Sequence, residues 1–366
     1  MELTWGEDYD VLAEIARAVF GEDSPLRDRD RTTDFETRAS QLAELGWLEL
    51  GDPRSGTNDA ADLASIAGIF VEMGKSLTES PLLPLMTSRD VALMIETAPA
   101  LELAEAIGTG ARRIIPVLHD PAWGVARPRL QDGLLTGEAV AVPFAGDANG
   151  FVIEAVDGES TVLVIVEAAA ASLEPMPNLG ERPLFALGLR SVPVPADTVL
   201  ARGEAADLAT AVAQQRSSVL VAAQVHGAGT RLLDMTVSFA KERHQFGGPI
   251  GRFQAVQYLC TDIAISTHLA SAFTRNAARA VDLDHDADLH VALMRKQAAR
   301  TAQEMVHAAH EVHAGMGFMV ESNLHLFTKA ARHWQFALGA DEIHDRGIAS
   351  WLDRLSWLDQ LTEERV

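Results

Sequence analysis

Apolar residues recur at helical spacing through the first third of the chain. Between Asp62 and Leu77 they fall at Leu63, Ile66, Ile69, Phe70 and Met73, the stripe of an amphipathic helix, and Pro81 and Pro84 predict its stop. Phe35 to Leu50 repeats the pattern with Leu42, Leu45 and Trp47, and Gly46 marks a turn. Near Ile114 the pattern changes to short β-branched runs: Ile114–Leu118, Leu134–Val142, Phe151–Val156, Thr161–Val166 and Val192–Val199. Asp132-Gly133 and Asp157-Gly158 punctuate them as hairpin turns, which predicts a mostly antiparallel β domain of about five strands. From Ala205 onward the helical spacing returns in four stretches, Leu208–Lys241, Phe253–Leu283, Ala287–His313 and Leu324–Leu361. The expected fold class is α+β, with an N-terminal helical domain over residues 1–113, a middle β domain over 114–204 and a C-terminal four-helix bundle over 205–366. Neither an internal repeat nor a low-complexity segment interrupts that order.

Composition narrows the classes. The 366 residues are 48% hydrophobic, with alanine dominant and aromatics sparse, which favours closely packed helices. A formal net charge of -22 argues against a nucleic-acid partner, since phosphate binding depends on neutralisation by Lys and Arg. Cys260 is the sole cysteine, so an internal disulfide and a CxxC metal motif are excluded and a reducing compartment fits. The acidic start lacks the regions of a signal peptide, and no apolar run approaches the ~20 residues of a membrane helix. The expected location is the cytoplasm.

The most specific text is Arg243-His244-Gln245-Phe246-Gly247-Gly248-Pro249-Ile250, followed by Phe253-Gln254-Ala255-Val256-Gln257. Its pattern is a helix end, a glycine turn and a new helix start, and arginine suits a doubly charged pyrophosphate. The segment resembles the RxQFGxPIxxFQxxQ signature of acyl-CoA dehydrogenases. Other stretches agree in order: Gln41–Leu48, Glu72-Met73-Gly74-Lys75-Ser76-Leu77 before Pro81 and Pro84, Leu135-Thr136-Gly137-Glu138, and Val312-His313-Ala314-Gly315-Met316-Gly317-Phe318 with Glu321. The resemblance implies an acyl-CoA dehydrogenase-like fold and α,β-dehydrogenation of an acyl-CoA thioester. In that chemistry a glutamate removes the α proton while the β hydrogen leaves as hydride to FAD. It also implies that the flavin ring sits against its own subunit's β domain, while the ADP half crosses a dimer interface. Arg243, Phe246 and Gln254, with the Gly315–Gly317 turn, would then serve a partner chain's FAD.

The sequence departs from the family where chemistry is expected. Leu338 stands at the usual glutamate position, and a leucine can take no proton. The alternative position, on the long helix, falls near Ser217 beside Arg216, and that helix holds no Asp or Glu from Leu208 through Leu233. The family's TEPxxGSD loop and W-I-T strand, which hydrogen-bond the flavin ring, are missing from about Pro121 to Pro143, where Trp123-Gly124 stands instead. Glu311 replaces a glutamine, Ala314 the first glycine of the turn, and Lys329-Ala330-Ala331 an Arg-Asp-Ala. A degraded half-site for the chain's own flavin beside a retained half-site for a neighbour's suits the supporting subunit of a heteromer. Actinobacterial acyl-CoA dehydrogenases of steroid side-chain breakdown have such subunits, and their C-terminal text resembles His325-Leu326-Phe327 and the region from Asp341 to Arg346. The expected partner is therefore a homologous subunit, FAD is shared across the interface, and the isolated chain is inactive.

Two other readings stay open: a complete homomeric enzyme with its base at Glu242, Asp341 or Glu342, and a flavin-free acyl-CoA-binding or scaffold protein. His307, His310 and His313 lie on one helical face with Glu304 and Glu311 nearby. That spacing suits zinc or a di-metal site, but a histidine-rich turn is the expectation, with no metal.

Overall fold

Each element begins and ends where its local chemistry dictates. In the computed structural model, which describes residues 4–27, 33–54, 61–119, 125–283, 286–339 and 341–353, the Asp34 carboxylate accepts the N–H of Thr37 and starts α2 (Phe35–Glu44). Gly46, at φ 70°, makes the expected turn and leads into a short 3-10 segment at Trp47–Glu49. α3 (Leu63–Ser76) matches its apolar stripe. Pro81 and Pro84, expected to stop a helix, instead open α4 (Leu82–Ile95): Pro81 precedes it and Pro84 sits in the first turn, where no intrahelical N–H is required. α1 (Tyr9–Gly21) and α5 (Ala98–Gly108) complete the N-terminal helices.

Among the described residues the central sheet has eight strands: β1 (Ile114–Val117), β2 (Arg129–Gln131), β3 (Leu134–Pro143), β4 (Gly150–Asp157), β5 (Ser160–Glu167), β6 (Ser172–Pro175), β7 (Leu184–Pro193) and β8 (Val199–Arg202). Their order is β6-β7-β3-β2-β4-β5-β8, with β1 added parallel to β4. The strand expected over Val192–Val199 is in fact the end of β7, a 3-10 turn at Ala196–Thr198 and the start of β8. Pro193 and Pro195 account for the break, since neither can donate to a ladder. Pairing is antiparallel except where β1 and β2 meet β4.

The C-terminal helices are α6 (Glu204–Glu242), α7 (Gln254–Asp282), α8 (Ala287–His313), α9 (Leu324–Leu338) and α10 (Asp341–Asp353). The single helix expected from Leu324 to Leu361 breaks at Gly339, whose φ of 88° no helix accommodates. Residues 354–361 of that expectation lie outside the described residues.

Two compact units share this chain. One comprises Met1–Glu22, Leu63–Leu77 and Ser218–Val366, so α1 and α3 pack with the C-terminal helices around Phe20, Phe70 and Phe327. The other comprises Asp23–Asp62 and Thr78–Ser217, which gathers α2, α4, α5 and the sheet around Leu48, Leu85 and Phe151. Among the described residues, no helix is long and apolar enough to cross a membrane.

Candidate functional site

α6 ends at a tight reversal that presents charge. The N–H of Arg243 still donates to the Phe239 carbonyl at 2.9 Å, and the Arg243 carbonyl accepts from Ile250 at 2.8 Å. Between them lie β9 (His244–Gln245) and β10 (Gly248–Pro249), an antiparallel pair joined by Phe246-Gly247. Both loop residues have positive φ, 53° and 84°, as a two-residue type I′ hairpin requires. Glycine adopts that conformation freely. Phe246 does not, and its ring is left 85% exposed. Arg252 braces the loop by donating to the Phe246 carbonyl, and its guanidinium stacks over Phe253 at 4.9 Å. Nothing in the sequence pattern marked Arg252 for this work.

Arg243 is exposed, and its guanidinium has no partner among the described residues. Gln254 opens α7 and donates to the Tyr258 hydroxyl at 2.7 Å. An unpaired arginine beside the start of a 29-residue helix is a setting for an anion, because the first N–H groups of a helix have no internal acceptors.

The second predicted segment is brought to the same end of this unit. α8 stops at His313, and Ala314–Phe318 form a 3-10 turn. His313 stacks on Phe239 with ring centroids 4.2 Å apart, one helical turn before Arg243. Gly317 is buried, and a Cβ there would stand 3.0 Å from both His310 Nδ1 and Leu324 Cδ2. Gly315 is open, with nothing within 4 Å of such a Cβ. Ala314, where the family has glycine, keeps φ 49° and ψ −135°. Glu311, a carboxylate that would repel a phosphate if it faced one, lies on the surface 3.2 Å from His307. Among the described residues, no group of three or more His, Cys, Asp or Glu is arranged to hold a metal.

The candidate base positions lie elsewhere. Leu338 is buried, 1% exposed, at the last turn of α9. Asp341 and Glu342 fall in the first turn of α10, where carboxylates complement the helix dipole, and Glu242 is exposed at the end of α6. Ser217 is half-buried, beside Arg216. That arginine is buried against Asp90 at 2.9 Å and also donates to the Gly51 carbonyl at 3.0 Å.

The sheet offers a different environment. A cleft there is walled by Val117, Leu118, Val125 and Val140 and carries Glu154 on its floor. The Glu154 carboxylate accepts the His119 N–H at 2.9 Å and lies 3.2 Å from Arg127 Nε; burial raises its pKa above the ordinary carboxylate value. Along β3, Ala139-Val140-Ala141-Val142-Pro143 offers no side-chain donor, and the Ala141 N–H is directed to the Met176 sulfur at 3.2 Å. Trp123 and Gly124 lie outside the described residues.

Residues 208–352 match the acyl-CoA dehydrogenase C-terminal domain family. That stretch therefore carries an acyl-CoA dehydrogenase C-terminal domain. It is 28% identical to the acyl-CoA dehydrogenase IpdE2 of Mycolicibacterium smegmatis over 79% of this chain and 78% of that protein. Its fold is similar to that of the solved ChsE4-ChsE5 complex of Mycobacterium tuberculosis, with a TM-score of 0.83, 23% identity and coverage of 97% of this chain and 100% of the other. A steroid ACAD structure, Tcur3481-Tcur3483, gives a TM-score of 0.82 at 23% identity, over 96% of this chain and 99% of that one.

For an acyl-CoA dehydrogenase the expected cofactor is FAD, and the two halves of that molecule fare differently against these residues. The Arg243 turn, the start of α7 and the open Gly315 backbone fit a diphosphate. The Ala139–Pro143 end of β3, with no side-chain donor, and Arg127, already committed to Glu154 and Thr161, do not fit a flavin ring, whose carbonyl oxygens and N5 call for donors.

Proposed function

We propose that this chain is the supporting subunit of a heteromeric, flavin-dependent acyl-CoA dehydrogenase. Arg243, Phe246, Gln254 and the Gly315–Gly317 turn hold the phosphate half of an FAD whose ring rests on a homologous partner subunit. The partner also supplies the base that removes the α proton of an acyl-CoA thioester. When bound, FAD supplies the acceptor for the β hydride. This chain contributes position and charge: Arg243 neutralises the diphosphate, and Leu338 leaves the chain's own half-site without a proton acceptor.

The observation that carries the reading is the asymmetry between an unpaired, exposed Arg243 at a helix start and the Ala139–Pro143 end of β3, which has no side-chain donor. Exposed apolar residues at both turns support a covering partner: Phe246 at 85%, Phe318 at 77%, Val320 at 59% and Met319 at 49%. The steroid ACAD likeness supports a steroid-derived acyl group as substrate, and the single, half-buried Cys260 suits the cytoplasm.

The test is flavin stoichiometry and mass for the chain alone and co-expressed with a homologous subunit. The lone chain is expected colourless and inactive, and the complex should carry about one flavin per heterodimer. Arg243→Ala should lower flavin retention in the complex by about tenfold or more, since a charge-assisted contact is worth roughly 1.5–3 kcal/mol. One tightly bound flavin per chain in a homo-oligomer refutes the reading.

A further inference from the structure

The histidines that end α8 are explained neither by a metal nor by the flavin role. His307 turns outward to Glu311, 3.2 Å away, while the other two touch the turns. His310 meets the Ala314–Phe318 turn at three places. Its carbonyl accepts the Ala314 N–H, its Nδ1 lies 3.0 Å from where a Gly317 Cβ would stand, and its ring lies 4.9 Å from that of Phe318. The far edge of the ring is fixed by α9, with Nε2 2.8 Å from Thr328 Oγ1. The Thr328 hydroxyl also reaches the Leu324 carbonyl at 3.3 Å, so its oxygen can accept from the imidazole. Nδ1 is buried and without a hydrogen-bond partner among the described residues. His313 lies flat on Phe239, the residue whose carbonyl accepts the Arg243 N–H, and its buried Nε2 is likewise unpartnered among the described residues.

We propose that His310 and His313 are positioning residues that hold the Arg243 turn and the Ala314–Phe318 turn in register, and that they do so only while both are neutral. This rests on the reading that these turns take the phosphate half of FAD. A doubly protonated His310 carries an N–H at Nδ1, a buried donor with no acceptor beneath Gly317. A charge on His313 would stand one helical turn from it. Burial first, and then the neighbouring histidine, holds both imidazoles below the ordinary 6.5. The sign follows: a depressed imidazole contributes stability that is present above 6.5 and lost as pH falls through the folded-state value. The other titratable groups on the surrounding elements include Glu304, His307 and Glu311 on α8, Lys241, Glu242, Arg243 and His244 around the end of α6, Tyr258, Cys260 and Asp262 in the first half of α7, Glu321 after the turn, and His325 and Lys329 on α9. A bound diphosphate would pull the other way by attracting an imidazolium, and the test separates the two effects.

Hydrogen-exchange protection of residues 243–248 and 314–318 is measured on the full chain as pH is lowered, and FAD retention is measured on the heteromeric complex. The wild type is expected to lose protection in both segments by about tenfold, with flavin retention falling in parallel. His310→Gln keeps a donor for Thr328, and His313→Phe keeps the stack, so the double variant should hold both properties across the range. Unchanged wild-type protection, an equal loss in the variant, or flavin binding that tightens on acidification would each overturn the proposal. Arg243→Ala separates the failures. If that complex keeps its flavin, the phosphate reading fails. If it loses flavin while the histidine variant still responds to pH as wild type does, only the positioning role fails.

Discussion

At the scale of single residues, the turn after α8 sets three neighbouring positions against one another. Gly317 is buried, and a methyl there would stand 3.0 Å from His310 Nδ1 and Leu324 Cδ2, so Gly317→Ala should cost about 1–3 kcal/mol as the turn shifts to make room. Gly315→Ala meets nothing within 4 Å and should change stability by less than about 0.5 kcal/mol. Ala314 holds φ 49°, a conformation that disfavours a Cβ, so Ala314→Gly should stabilise by about 1 kcal/mol. Urea midpoints for the three variants check this order, and equal effects at the two glycines would show that the turn does not pack on His310. The sequence carries part of this pattern. Gly315 and Gly317 were legible as a turn, and Ala314 as a departure from the family text. The different tasks of the two glycines were not legible, because each depends on side chains of α8 and α9 that approach only in the folded unit.

At the scale of elements, long uniform helices were the most legible features and short strands the least. α8 runs from Ala287 to His313 as its spacing predicts, and α6 and α7 differ from expectation only at their ends. β2 and β6, with three and four residues, are too short to show alternation, and prolines divide β7 from β8. The Glu72–Leu77 text, recognisable by resemblance alone, acquires a packing reason. A Cβ on Gly74 would overlap the Gln224 carbonyl, and one on Gly227 would overlap that of Val71, so α3 and α6 cross at backbone contact. Glu72, buried two residues earlier on α3, points to another side of the helix, 3.1 Å from Arg17 of α1 and 2.7 Å from Lys75. Since a carbonyl cannot yield as a flexible side chain does, Gly74→Ala should cost at least about 2 kcal/mol. The same substitution at Gly21, with nothing within 4 Å, should be nearly neutral. Chemical denaturation of both variants decides it, and a neutral Gly74→Ala would mean that the helices do not cross this closely.

At the scale of the whole molecule, charge and buried histidines set opposing trends with pH. The net charge of -22 makes the chain self-repelling, and protonating exposed carboxylates relieves that repulsion on the acid side. Against this stand imidazoles that the fold keeps neutral: His310, His313, His344 and, most strongly, His226, pushed down to about 4 by burial and then by Lys75. Such a group favours the folded state above its ordinary 6.5, and that advantage is lost as pH falls toward about 4, because the unfolded chain takes up the proton first. The shift from 6.5 to about 4, at about 1.4 kcal/mol per unit, corresponds to about 3 kcal/mol from His226, of which about 2 is gone by about pH 5. A contact with the Thr267 backbone offsets only part of the shift, and His226 Nδ1 is buried without a hydrogen-bond partner among the described residues. Stability should therefore fall between about pH 7 and about pH 5 despite the relief of negative charge, and His226→Gln should flatten that limb by about 2 kcal/mol. Urea unfolding across this range measures both slopes. A wild-type stability that rises on acidification would place control with the surface carboxylates, whereas a fall that His226→Gln leaves unchanged would assign it to the other three histidines.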